Sequence, residues 1–203
     1  GTSLIAKNIK ADLSDFEGLK KLIQKFDINL VIIGPEKSLV DGLVDYLKKN
    51  SIKVFGPNKV ASQLEGSKIF TKKLCEKYKI PTANFGIFEN EEKSLNFLEK
   101  CKFPIVVKAD GLASGKGVYI CDSFKQSKLA VNEIFNGKFG DAKEILIEEF
   151  LKGEEMSFFI ISDGRTYKKF GSAQDHKRVL EGDKGKNTGG MGAYSPSRLE
   201  NKE

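Results

Sequence analysis

The chain has 203 residues, 39% hydrophobic and 31% charged, with a formal net charge of +6; that length holds one large domain or two small ones, and that composition is ordinary for a soluble chain. No run approaches the roughly 18 apolar residues of a membrane span, and no apolar leader with a cleavage site is visible, so neither membrane insertion nor export is expected. All of the 34 basic residues except Arg165, Arg178 and Arg198 are lysine; this argues against nucleic-acid readout, which favours the forked guanidinium, and for a solvated lysine surface or attraction to anionic small molecules.

Cys75, Cys101 and Cys121 are far apart and odd in number, which is neither a disulfide framework nor a metal cluster. A reducing, cytoplasmic compartment is expected. The lone His176 cannot build a His-rich metal site.

The first sixty residues alternate helix and strand. Ser14 and Glu17 have the spacing of a capping box, and Phe16, Leu19, Ile23 and Phe26 follow at helical intervals. Leu30 to Gly34 reads as a continuous apolar strand, buried on both faces. One helix carrying Leu39, Val40, Leu43, Val44 and Leu47, then a short strand over 53–56, completes a strand–helix–strand unit. That order predicts a parallel, doubly wound sheet. The turn Gly34-Pro35-Glu36 lies at the C-terminal end of its strand, the edge where open α/β sheets bind ligands. A plain strand-to-helix turn fits the same residues equally well.

A helix over 67–78 has Ser67 as its cap, and Phe70, Leu74 and Tyr78 stack four apart on one side. Lys68 lies in the first turn, where the helix dipole disfavours a cation; such a placement marks either a ligand contact or a solvated lysine. Pro81 separates this helix from a strand-like stretch over 83–88. From residue 103 the pattern becomes α+β: strands over 103–109 and 117–121, a helix over 124–136, then strands over 144–150 and 156–162. Asp163-Gly164 signals a tight turn into a further strand. Residues 172–196 are polar and glycine-rich without periodicity and read as a long loop, functional or disordered.

Gly111-Leu112-Ala113-Ser114-Gly115-Lys116-Gly117-Val118 resists two familiar phosphate-loop patterns. Three residues, not four, precede its Gly-Lys pair, and no Ser or Thr follows for magnesium, so it is not a P-loop. A strand, not a helix, comes next, so it is not a dinucleotide turn. A flap between antiparallel strands remains, whose bare N–H groups can approach phosphate oxygens, with Lys108 and Lys116 as point charges. An ordinary glycine hairpin fits as well. Ile147-Glu148-Glu149-Phe150-Leu151-Lys152-Gly153-Glu154-Glu155 runs an apolar strand into carboxylates, odd because unpaired buried charge is costly. A strand end of this kind can offer its backbone to an adenine edge and a carboxylate to ribose hydroxyls; a solvated acidic turn is the alternative.

Taken together, Val107 through Val118, Glu148 through Leu151 with Gly153-Glu154-Glu155, Gln174-Asp175-His176-Lys177-Arg178 and Asn187 through Pro196 resemble the glycinamide ribonucleotide synthetases (phosphoribosylamine–glycine ligases) of the ATP-grasp superfamily. Gly34-Pro35-Glu36 and Leu64-Glu65-Gly66-Ser67-Lys68 match in the same order, so the resemblance spans nearly the whole chain. It implies an α/β chain with a partial parallel βαβ N-terminal domain over 1–60, linking helices and the start of the ATP-grasp core over 61–102, an α+β lid subdomain over 103–171, and a substrate loop with the start of the catalytic core over 172–203.

The family joins glycine to 5-phosphoribosylamine through a glycyl phosphate, splitting ATP to ADP and phosphate, in the second step of purine biosynthesis. Carried over motif by motif, Lys68 and Lys108 contact ATP phosphates, and Gly115, Lys116 and Gly117 form the flap. Glu148 and Leu151 contact the adenine edge, Leu151 through its backbone. Glu155, or its neighbour Glu154, takes the ribose. Glu36, Asp175, Gly190, Met191 and Gly192 lie on the ribosylamine and glycine side, and His176 is a structural hydrogen-bonder. The implied partners are ATP, glycine and 5-phosphoribosylamine, without nucleic acid or membrane, for a cytoplasmic monomer.

Against the family pattern the chain begins after the first strand and glycine turn and stops soon after Ser195-Pro196. The glutamate and asparagine that hold Mg2+ (or Mn2+) are expected beyond it. No metal ligand or catalytic residue is therefore assigned, and the fragment alone is expected to be inactive. Another ATP-grasp carboxylate–amine ligase, or a nucleotide-binding module without catalysis, are the alternatives.

Overall fold

The computed structural model describes residues 1–113, 117–140, 142–182, 184–187 and 192–200, with backbone alone at 178 and 184–187. Contacts divide the chain into two compact units, Gly1–Phe150 and Leu151–Glu203.

The first unit opens with α1 (Phe16–Lys25), capped by Asp15, whose carboxylate accepts from the Gly18 N–H at 2.9 Å. The cap falls one residue after the predicted Ser14, because Ser14 turns its own N–H and hydroxyl onto Asp12. Strand β1 (Val31–Ile32) pairs in parallel with β2 (Val54–Phe55), as the strand–helix–strand pattern predicts. The intervening helix is not continuous: Gly42, at φ +98°, divides it into α2 (Glu36–Asp41) and α3 (Leu43–Lys49). Ile33, Leu43, Val44 and Leu47 form a small core joined by Phe16, Leu19 and Ile23 of α1. Ile32 is 70% exposed, so the expected burial on both faces fails. Alternate strand residues point to opposite faces, and Ile32 points away from that core.

After the short α4 (Gln63–Gly66) comes α5 (Lys68–Tyr78), capped as predicted by the Ser67 hydroxyl, which accepts from the Phe70 N–H at 3.0 Å. Its buried residues are Ile69 and Lys72, while Tyr78, on the side that apolar spacing picks out with Phe70 and Leu74, is exposed. The helix therefore turns a lysine inward.

A four-stranded antiparallel sheet follows, in the order β3 (Phe85–Phe88), β6 (Ile145–Glu149), β4 (Ile105–Ala109), β5 (Val118–Cys121). Two helices accompany it, α6 (Glu91–Leu98), which periodicity did not reveal, and α7 (Phe124–Phe135), each capped by the residue before it. The sheet's two faces differ. Ile105, Val107, Ala109, Cys121, Ile145 and Ile147 pack with Leu98, Ala130, Val131 and Ile134 into the main core. Each fully buried aliphatic side chain there contributes about 2 kcal/mol. The alternate residues Val106, Lys108, Leu146 and Glu148 share the opposite face, because Lys108 lies across from Leu146 and Val106 across from Glu148.

Burial raises the Cys121 thiol to about 11, and raises Cys101 as well. Since the thiolate is the reactive form, alkylation of the native protein by iodoacetamide at pH 8 is expected at Cys75 first and at Cys121 only on unfolding. Mass spectrometry of peptides after timed labelling checks the order.

In the second unit β7 (Ser157–Ser162) and β8 (Tyr167–Asp175) form an antiparallel hairpin with a bulge at Phe159/Ile160. Its turn is the predicted one: Gly164 has φ +90°, and Asp163 accepts from the Arg165 and Thr166 N–H groups. Where it is described, the region read as a long loop carries strands instead. β8 runs on to Asp175, β9 (Arg178–Leu180) pairs with β10 (Lys184–Asn187), and β11 (Ala193–Tyr194) pairs with β8. Backbone pairing needs no apolar alternation, which is why periodicity missed these short strands.

Candidate functional site

The charged face of the four-stranded sheet builds the site in the first unit. Lys108 and Glu148 are diagonal neighbours on adjacent strands, and their side chains form an ion pair through Glu148 Oε1. From α5, the Lys72 ammonium comes within 2.7 Å of Glu148 Oε2. It also donates to Thr82 Oγ1 at 2.7 Å and to the Ala83 carbonyl at 3.2 Å. Glu148 is 6% exposed and Lys72 8%, so one buried carboxylate serves two ammonium groups. The Lys72 approach is off the line of a hydrogen bond, and among the described residues Glu148 Oε2 has no hydrogen-bond donor.

The start of α5 completes the arrangement. Asp110, at the end of β4, accepts from the Ile69 N–H at 3.1 Å and from the Ser67 hydroxyl, placing a negative charge at the helix N-terminus where the dipole favours it. That carboxylate offsets the misplaced first-turn cation Lys68, whose ammonium donates to the Gly111 carbonyl at 2.6 Å. Lys68, Thr71, Lys72, Thr82, Lys108 and Gly111 line a cleft of about 280 Å³. The cleft carries three ammonium groups and the first residue of the glycine loop. Between the arms of that loop, Gly117 is buried and has no room for a side chain: a Cβ there would stand 2.9 Å from the Ala113 methyl and 3.0 Å from that of Ala109. Gly115 and Lys116 lie outside the described residues.

Burial lowers the pKa of Lys68 below its ordinary value; the Lys108 charge pushes the same way and Asp110 opposes it. A polyphosphate anion in the cleft favours the ammonium and reverses the shift. Affinity is therefore expected to fall as pH rises through the lowered Lys68 value, with net proton uptake on binding in that range. Titration calorimetry of an ATP analogue in two buffers of different ionisation heat, repeated at rising alkaline pH, reads this directly; heats that stay independent of the buffer throughout would contradict it.

Of the other predicted residues in this unit, Glu36 begins α2 and lines a neighbouring cleft of about 290 Å³ with Leu39, Val40 and Pro57, which shares Leu64 and Glu65 with the first. Leu151 and Glu155 belong to the second unit. Leu151 is 64% exposed. There Lys177 bridges Glu155 at 2.8 Å and Asp175 at 3.2 Å, while Glu154 pairs with Arg198. Those two carboxylates raise the pKa of Lys177, Glu155 most. The pairing of β11 with β8 joins two motifs that are distant in sequence: Ala193 lies across from Asp175, and the His176 N–H donates to the Gly192 carbonyl at 2.9 Å. A Cβ at Gly192 would stand 2.8 Å from the His176 ring. Gly190 and Met191 lie outside the described residues. Sequence reasoning missed Lys72, Asp110 and Lys177 as site residues. Lys72 alone carried a signal, a lysine one turn after Ile69 on the same helix face.

Two family models meet end to end on this chain. "Phosphoribosylglycinamide synthetase, N domain" matches residues 1–65, and "Phosphoribosylglycinamide synthetase, ATP-grasp (A) domain" matches 66–203. The chain belongs to the phosphoribosylglycinamide synthetase family. It is 48% identical over 198 residues to phosphoribosylamine–glycine ligase of Mesorhizobium japonicum, with 97% of this chain and 47% of that protein covered. It is 45% identical to the ligase of Clostridium acetobutylicum, covering 97% and 49%. Among solved structures, phosphoribosylamine–glycine ligase from Thermotoga maritima superposes with a TM-score of 0.81 at 32% identity, over 98% of this chain and 48% of that one. The chain thus spans about half the length of the synthetases it matches. Within the synthetase frame, Lys68, Lys72, Lys108 and Glu148 all fall in the ATP-grasp match, and Glu36 falls in the N-domain match.

Proposed function

We propose that this chain is the nucleotide-binding part of a phosphoribosylamine–glycine ligase, in which Lys68 and Lys108 hold the ATP phosphates. The observation that carries the reading is the convergence of both lysines and the start of the glycine loop on one cleft, inside the segment that matches the ATP-grasp domain. Fixed ammonium charges neutralise a transferring phosphoryl group without reorganising when it reacts. In this reading Gly115, Lys116 and Gly117 cover the phosphates and Glu148 and Leu151 meet the adenine edge. Glu155 takes the ribose once Lys177 releases it. Glu36, Asp175, Gly190, Met191 and Gly192 serve the ribosylamine and glycine.

The reaction so catalysed is attack of the glycine carboxylate on the γ-phosphorus, expelling ADP, followed by attack of the ribosylamine nitrogen on the acyl carbon, expelling phosphate. No cluster of three or more His, Cys, Asp or Glu side chains able to hold a cation occurs among the described residues. The Mg2+ or Mn2+ expected with ATP therefore has no fitting ligand set here, and no step is assigned to it. Among the described residues no helix is long and apolar enough to cross a membrane, and the three cysteines are free; we place the working protein in the cytoplasm, as a monomer.

The longest natural protein that contains these residues tests the reading. It is expected to release one ADP and one phosphate per glycinamide ribonucleotide, and only when glycine and 5-phosphoribosylamine are both present. Equal turnover with another carboxylate in place of glycine would assign the chain to a different ATP-grasp ligase.

A further inference from the structure

Lys72 has no part in the reading above, yet it is the most enclosed of the cleft's lysines. Its ammonium is fixed by Thr82 Oγ1 at 2.7 Å, the Ala83 carbonyl at 3.2 Å and Glu148 Oε2 at 2.7 Å. The Phe85 ring centroid lies 5.4 Å away. Its side chain is 11% exposed, against 25% for Lys108. The two lysines thus share a carboxylate but differ in freedom. Lys72 is tied to α5, to the 82–83 segment and to β6. Lys108 shows only its pair with Glu148 and otherwise faces the cleft.

We propose that Lys72 is a positioning residue: it is the permanent counter-ion of Glu148, and it frees Lys108 to transfer from that carboxylate to the incoming polyphosphate. The physical reason is the cost of leaving a buried carboxylate uncompensated. If Lys108 were the sole partner of Glu148, every phosphate contact would have to strip a 6%-exposed anion of its only cation. With Lys72 held in place, Glu148 keeps one ammonium whichever way Lys108 points. No bond is made or broken; only the ion pair is exchanged. Lys72 need not touch the nucleotide, so its effect runs through Glu148 to Lys108.

The inference rests on the nucleotide reading, and a double-mutant cycle separates the two. In the longest natural protein containing these residues, binding of a non-hydrolysable ATP analogue is measured for wild type, Lys72→Gln, Lys108→Ala and the double variant. Lys72→Gln removes the charge and keeps donors for Thr82 and Ala83. It is expected to weaken binding about 10-fold and Lys108→Ala about 100-fold; the double variant is also expected at about 100-fold, because a residue acting through Lys108 has nothing left to lose. In turnover, the KM for ATP should rise in Lys72→Gln while the KM for glycine stays put.

An additive double variant, near 1,000-fold, or equal rises in both KM values, overturns the positioning role and leaves the nucleotide site standing. Unchanged binding in Lys108→Ala overturns the nucleotide reading and this inference with it. If Lys72→Gln does not fold, Lys72→Met is put through the same cycle. Failure of both to fold counts against the proposal too, since the lysine then serves the fold and not the nucleotide.

Discussion

Glu148→Ala is expected to destabilise the first unit by about 3–5 kcal/mol, the range found when one partner of a buried ion pair is removed. Glu148 is 6% exposed and sits between Lys72 and Lys108. Truncating it leaves two ammonium groups facing one another across the space its carboxylate filled, and Lys72, 8% exposed, cannot turn to water. Urea unfolding followed by far-UV circular dichroism reads the change as a fall in midpoint at constant slope. The exposed pair of Lys93 and Glu89, 3.6 Å apart on the surface, serves as the control, and Glu89→Ala should cost less than about 1 kcal/mol. A Glu148→Ala loss no larger than the control's would show that the three-membered cluster does not hold the fold together.

Lys108→Ala is expected to spare stability and to strike binding. Glu148 keeps Lys72 in this variant, so the melting temperature should move little. The cleft, however, loses the charge proposed to meet the phosphates. A hydrogen bond to a charged group contributes about 1.5–3 kcal/mol, so the expected loss of affinity for an ATP analogue is about 100-fold. Titration calorimetry measures it. Binding within threefold of wild type would mean that the phosphates do not meet Lys108, and the cleft would lose its claim to the nucleotide.

Much of this arrangement was legible in the chain. The parallel β1–β2 unit, the Ser67 cap, the strands that become antiparallel β4 and β5 and the Asp163-Gly164 turn follow from local rules: apolar runs, capping oxygens and glycine at positive φ. The quoted motifs also led to Lys68, Lys108 and Glu148 before any coordinates. What stayed hidden was tertiary. Lys72 is buried because α5 turns its Ile69 side to the sheet, whereas apolar spacing draws the eye to Phe70, Leu74 and Tyr78. Asp110 caps a helix more than forty residues upstream, a pairing that local spacing cannot reveal. The 172–196 region failed for another reason. Its described strands are short and mix polar residues with exposed apolar ones such as Val179 and Leu180, so the backbone ladder between β8 and β11 leaves no periodic trace. Gly42 breaks a helix whose apolar spacing runs through without interruption, because spacing reports faces and not φ.

The segregation of the central sheet into an oily and a charged face bears on how the chain reaches its fold. Sliding β4 by one residue along β6 would turn Lys108 into the packed layer against α7 and bring Val107 out beside Glu148. Such a misthreaded hairpin would bury a bare ammonium in hydrocarbon and strand a carboxylate without its cation. The ion pair thereby proofreads strand alignment: the groups assigned to the nucleotide also veto the nearest wrong pairing.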